Sequence, residues 1–421
     1  MNKWVKSATV VSAAVVVLVV AAIVWVRRDS GSEGNETAKA VSFGPIGAGA
    51  SPDPSKDAWT GTWATAMQDG RGKGFQRETV RQVIRASIGG DAVRVKLSNQ
   101  FGKEPLTVSA VHLAKHVGEG KVDPSTNGRV TFGGKDSVTI KAGGTAVSDP
   151  VAFRLPAGGD LAISAYVPQR VGSVTQHESA NRDNYAAPGD QTTKDSMSGG
   201  RSFYNYSFLA GVDVQNPASE GAVVALGASI TDGYDSTWND YRSWSDLLAR
   251  RLNDGGRAVG VLNAGISGNS LLQNGVGQSG LNRLQRDVLG QAGVKWVIVA
   301  DLGINDLGGA DASTGGRLVT GLRQLIQRSH DADVKVLCTT LAPYAGSESW
   351  SKVGESGRKV FNTFVRSKGS GCDAVVDFDA ATRDPADPSR WNSRFDQGDH
   401  LHPNNAGMEA LATAIDLKPF A

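Results

Sequence analysis

Ser229, Gly268, Asn305, Asp399 and His402 are the residues of this chain whose types and spacing could do chemistry together. They lie in four stretches: Gly227-Ala228-Ser229-Ile230, Gly265-Ile266-Ser267-Gly268-Asn269, Gly303-Ile304-Asn305-Asp306 and Asp399-His400-Leu401-His402-Pro403. Each is read as closing a buried strand. A serine on a tight turn after two small residues exposes its hydroxyl, and its own N–H can face an oxyanion. Asp399 stands three residues before His402, so its carboxylate can reach the imidazole Nδ1–H, fix the tautomer and stabilise the imidazolium. Gly268 lets backbone approach a ligand closely, and Asn305 can donate from its amide. Singly, these are ordinary turn and cap residues. His400, with Asp396, is the rival for the base. Pro403 turns His402 away from helical geometry and can open the following helix. His112, His116, His177 and His330 are read as structural or surface residues. The four stretches in order predict a serine hydrolase.

The elements that must position these residues follow from hydrophobic period. After Asn216-Pro217, short continuous apolar runs alternate with helical spacing. The predicted strands are Ala222–Leu226, Val259–Leu262, Trp296–Ala300, Val334–Leu337 and Ala374–Phe378. Helices are predicted over Ser243–Leu252 and Leu318–Arg328. Such alternation gives a parallel sheet covered on both faces, which binds ligands beyond the carboxyl ends of its strands. From Asp57 to about Val214 the pattern is instead period-two, as in Ala92–Ser98, Ser137–Ile140, Pro150–Leu155 and Leu161–Val167, with turn residues between. That predicts antiparallel strands in a β-sandwich, with no helix longer than a turn or two.

The 421-residue length suits two domains and a tail, and the net charge of +2 gives no reason to expect a nucleic-acid partner. Lys3 and Lys6 precede an apolar run over residues 8–26, followed by Arg27 and Arg28. It is read as an uncleaved signal-anchor that would tie the chain to a membrane, with a removed signal peptide as the alternative. Residues 29–56, rich in Ser, Gly, Glu, Ala and Pro, read as a disordered tether. The division is therefore 1–28 anchor or signal, 29–56 linker, 57–215 β-sandwich of jelly-roll type and 218–421 catalytic α/β domain. An extracellular location, at the bacterial cell surface or secreted, is expected. Cys338 and Cys372 are either joined, which export would permit, or two buried thiols. No metal-ligand spacing is found, and no cofactor is expected.

The four stretches, in this order, resemble those of the SGNH, or GDSL, hydrolase family. Gly227-Ala228-Ser229-Ile230-Thr231-Asp232-Gly233 is similar to its first block, Asn263–Asn269 to its second, Gly303–Asp306 to its third and Asp399–His402 to its last. The resemblance implies a flavodoxin-like α/β fold. It also implies Ser229 as nucleophile, His402 as base, Asp399 as its orienting partner, and an oxyanion hole of Ser229 N–H, Gly268 N–H and the Asn305 amide. Trp59–Trp63, Thr79–Gln82, Ser98–Gly102, Ser148–Pro150 and Asp396–Asn404 resemble an exported two-domain branch of esterases. A short-chain, acetyl-type ester on a small molecule or polysaccharide is the substrate so implied. A lipase or phospholipase-type acylhydrolase and a weakly active carbohydrate-binding protein are the alternatives. One departure is Ala228, where the family usually has aspartate. That aspartate would brace the nucleophile turn, so a less rigid site is expected.

Overall fold

The computed structural model describes Phe43 and residues 59–70 and 74–420. The expected anchor and nearly all of the expected linker lie outside the described residues. Among the described residues no helix is long and apolar enough to cross a membrane. The described residues belong to one compact unit, Val41–Ala421.

Among the described residues up to Gln215, all regular structure is β except one 3₁₀ turn at Pro124–Thr126. One antiparallel sheet runs Trp59–Ala64, Leu209–Gln215, Gly90–Ser98 and Thr145–Val147, with Val151–Leu155 also on Gly90–Ser98. A second is built around Glu78–Arg85, Asp160–Val167 and Ala110–Gly118, with Asn184–Pro188 and Arg201–Phe203 beyond Glu78–Arg85. Alternate residues of both, such as Val80, Ile84 and Ile163 against Val93, Val95 and Val212, share one buried core. This is the layered packing that period-two alternation requires.

From Gly221 onward strands and helices alternate. Five parallel strands stand in the order Val259–Gly265, Gly221–Gly227, Val294–Val299, Lys335–Thr339, Ala374–Val376. This is the 2-1-3-4-5 order of flavodoxin-like sheets, whose switch point lies between the first and third strands in sequence. The central strand Gly221–Gly227 is buried throughout. Separate apolar clusters cover its two faces: Val224 and Leu226 meet Leu318, Leu322 and Leu325, while Val223 and Ala225 share a cluster with Trp244, Leu248 and Met408. Ser243 caps the helix Trp244–Asp254 in a capping box with Asp246.

Three expectations need correction. Phe378 does not end a strand but opens the helix Phe378–Thr382, capped by Asp377. Asp399–His402 follows no strand. It sits in the loop between Phe378–Thr382 and Asn405–Ala414, and aspartate side chains replace a ladder there: Asp396 accepts from Gly398 and His400, Asp399 from Leu401 and His402. Pro403 does not open the next helix, because Asn404 takes the cap and bonds the Gly407 N–H. Cys338 and Cys372 are joined as a disulfide.

Candidate active site

Ser229 lies just beyond the central strand, at the start of the four-residue helix Ser229–Asp232, which Gly233 closes at φ 94°. The strand cannot carry a larger residue at its end: a Cβ on Gly227 would collide with Thr231 and Asp301. Ala228 offers no side-chain bond to the turn. The brace comes from Asp301 across the switch point. Its carboxylate accepts from the Ile230 N–H at 3.0 Å and from the Thr231 hydroxyl. Asp301 is buried and sits at φ 40°. Burial pushes its pKa up to about 6, against the pull of these hydrogen bonds.

His402 Nε2 lies 2.8 Å from Ser229 Oγ. Its Nδ1 lies 2.6 Å from Asp399 Oδ2, while Asp399 Oδ1 accepts the Leu401 and His402 N–H groups at 2.9 and 2.8 Å. Burial pushes the Asp399 carboxyl up, but the His402 side chain and these two N–H groups outweigh it and hold the carboxyl below its ordinary range. The rival pair also forms: His400 Nδ1 is 2.6 Å from Asp396 Oδ2. Its ring stays on the Asp396 side, half-exposed, and the histidine that reaches Ser229 is His402. Ser229 and His402 are only 6% and 8% exposed, so the contact is largely dry and its electrostatics strong. The Tyr234 ring covers His402 at 4.4 Å between centroids.

Gly268 turns at φ 80°, and Val276 packs against the place its Cβ would occupy. The Asn305 amide Nδ2 donates one hydrogen to the Asn269 carbonyl at 2.8 Å, which fixes its plane and leaves one hydrogen unspent. Asp306 accepts from the N–H groups of Leu271 and Leu272, tying the Asn305 turn to the Gly268 loop. Arg283, fully buried, binds the carbonyls of Gly227 and Ala264 and the Asn269 side chain. One guanidinium thus gathers the carboxyl ends of two strands and the Gly268–Asn269 loop.

Sequence reasoning missed Asp301, Asp306 and Arg283. For Asp301 the signal was an acidic residue at the end of an apolar run, where a strand alone has no use for a charge. His177, read as structural or surface, is buried and bonds Asp232 of the helix Ser229–Asp232. A cleft lies behind this turn, between the β-rich and α/β parts, with Trp63, His177, Arg182, Asp232, Tyr241 and Asp246 in its wall. The Ser229 hydroxyl is not part of that wall. Among the described residues, no group of three or more His, Cys, Asp or Glu is disposed to hold a metal ion.

Residues 225–410 match the GDSL-like lipase/acylhydrolase family. No curated protein matches the chain. Solved structures similar to it include a lipase/acylhydrolase from Enterococcus faecalis, 26% identical, covering 46% of this chain and 92% of that one at a TM-score of 0.36. An acetylxylan esterase from Geobacillus stearothermophilus is 20% identical, covering 48% and 95% at 0.36. A psychrotrophic esterase from Pseudoalteromonas sp. is 20% identical, covering 46% and 93% at 0.34.

Proposed function

We propose, from the premise that residues 225–410 are a GDSL-like lipase/acylhydrolase domain and the chain an ester-cleaving serine hydrolase, that hydrolysis proceeds through an acyl group on Ser229. The reading rests on one observation: a continuous line from Asp399 through His402 to Ser229, at 2.6 and 2.8 Å. Ser229 Oγ attacks the ester carbonyl carbon while His402 Nε2 takes its proton. Asp399 holds the imidazole and balances its charge. The oxyanion accepts from the N–H groups of Ser229 and Gly268 and from the spare hydrogen of Asn305. The carbonyl re-forms, the C–O bond to the alcohol breaks, and His402 returns the proton to the leaving oxygen. Water then attacks the acyl-enzyme, again losing its proton to His402, and Ser229 is released.

The acyl group is short. The sequence carries no long apolar lid, and Tyr234 and Val276 are large exposed apolar side chains beside the site, contact suited to a small acyl or aryl group. The alcohol is polymeric, in keeping with Tyr204 and Trp238, which meet edge-on at 5.2 Å and are 57% and 44% exposed. An exposed aromatic pair offers sugar rings a stacking surface. The enzyme works outside the cytoplasm, an assignment supported by the Cys338–Cys372 disulfide.

The test is hydrolysis of p-nitrophenyl acetate, butyrate and palmitate beside Ser229→Ala. Acetate and butyrate are cleaved and Ser229→Ala is inert. Equal turnover in Ser229→Ala would remove the assignment of the nucleophile, and equal rates on palmitate would favour a lipase-type acylhydrolase.

A further inference from the structure

His177 belongs to the β-rich part, yet one of its two ring nitrogens is spent on the catalytic part. Nδ1 stands 3.0 Å from the Ala66 carbonyl oxygen and Nε2 3.0 Å from Asp232 Oδ1. A carbonyl and a carboxylate only accept, so both ring nitrogens carry hydrogen and the ring is an imidazolium. Burial opposes that charge, but Asp232 and the hydrogen bonds to Asp232 and Ala66 outweigh it, and the pKa is raised. Asp232 is the last residue of the nucleophile helix. Its second oxygen accepts from Ser267, from the N–H at 2.9 Å and the hydroxyl at 2.6 Å. Ser267 immediately precedes Gly268. Beyond Asp232, the charged groups facing this network are Arg283, which acts on Asp232 from the far side, and Arg85, Arg182, Asp246 and Arg250 around the adjoining cleft.

We propose that His177 is a positioning residue of the esterase. Through Asp232 and Ser267 it fixes the Gly268 turn against the nucleophile helix, and it makes the β-rich part a working component of the active site. The proposal deepens the reading of Ser229 and Gly268 given above and rests on it. An oxyanion donor acts only if it is held where charge develops, and removing one outright costs about 100–1,000-fold in turnover. Loosening its support costs less: His177→Ala and Ser267→Ala should each lower kcat about tenfold or more, with KM little changed. His177→Gln can still donate to Asp232 or Ala66, though not to both, and should fall between wild type and His177→Ala.

The imidazolium also gives a pH signature. Its pKa is raised on folding, so its contribution is fully present below the ordinary histidine pKa and is lost as pH rises through the folded value. Wild-type kcat should therefore fall on the alkaline side, and His177→Gln should lack that limb.

The experiment uses the full chain. Histidine ¹⁵N NMR at pH 7 reads the ring, and kcat, KM and the pH profile are measured for Ser229→Ala, His177→Gln, His177→Ala and Ser267→Ala, per folded molecule. Two protonated nitrogens on His177 with the stated losses support the proposal. A neutral ring, or full turnover in the His177 and Ser267 variants while Ser229→Ala is inert, overturns the proposal alone. Full turnover in Ser229→Ala overturns the catalytic reading and the proposal together. Should His177→Ala fail to fold, His177→Gln, Ser267→Ala and the wild-type spectrum still decide.

Discussion

Asp301 carries much of what a sequence scan would assign to residue 228. It holds the Ile230 N–H and the Thr231 hydroxyl of the turn that carries Ser229. Asp301→Asn keeps the size but turns an amide group towards these donors. Turnover should fall about tenfold or more, short of the loss expected for an oxyanion donor itself. Stability should move the other way. The Asp301 pKa is raised to about 6, so its contribution to stability is fully present below the ordinary aspartate pKa and is lost as pH rises through that value. Thermal melts should accordingly show Asp301→Asn gaining more relative to wild type at pH 7 than at pH 5. Asn305→Ala, which deletes a donor, should lower kcat about 100–1,000-fold with a much smaller change in KM. That Ser229, His402 and Asp399 could meet was legible because their motifs are local. Asp301 was not, since its partners lie some 70 residues earlier and its one local mark, a charge at the end of an apolar run, does not name them.

Among the elements, glycines decide how closely pieces approach. A Cβ on Gly260, in the edge strand of the parallel sheet, would land on the Gly61 carbonyl oxygen, whereas one on Gly61 would meet the end of the Leu262 side chain at 2.8 Å. Backbone cannot yield and a leucine methyl can. Gly260→Ala should therefore lower the melting temperature distinctly more than Gly61→Ala. The helix Lys352–Arg366 escaped sequence reasoning for a related reason. Gly354 and Gly357 depress its helical propensity, but Gly357 lets it close on Gly315 of the helix Thr314–His330, where a Cβ would stand 3.0 Å from the Gly357 Cα. The strands of the sheet, by contrast, were legible because burial on both faces writes a continuous apolar run. Their neighbour contact is reinforced by the disulfide, which closes 34 residues around that helix. Cys338→Ser should cost about 3 kcal/mol in denaturant unfolding, with the esterase site intact in the folded fraction.

At the scale of the molecule, the seam between the two parts is polar as well as apolar. Ser87 accepts the Val261 N–H of the edge strand at 2.9 Å, and Gly61 donates to Ala292. An exposed sheet edge is thereby covered. The change from period-two runs to alternating strands and helices was readable along the chain. That the two halves pack as one compact unit was not, because seam residues such as Ser87, Gly61 and His177 look like ordinary strand and turn residues until their partners are known. Tyr204 stands on the β-rich side of the molecule and Trp238 on the loop after the nucleophile. Trp238→Ala should raise KM severalfold on an acetylated polysaccharide and leave p-nitrophenyl acetate kinetics unchanged.

Asp301 also says something about how such a protein can change over generations. A non-glycine residue in the left-handed region costs about 1–2 kcal/mol, and a buried carboxylate raised to about 6 costs roughly 3 kcal/mol more at neutral pH. Glycine at 301 would relieve both. A population selected only for survival of heat should drift towards Asp301→Gly and become hardier and slower, while one selected for turnover should hold the aspartate against that drift.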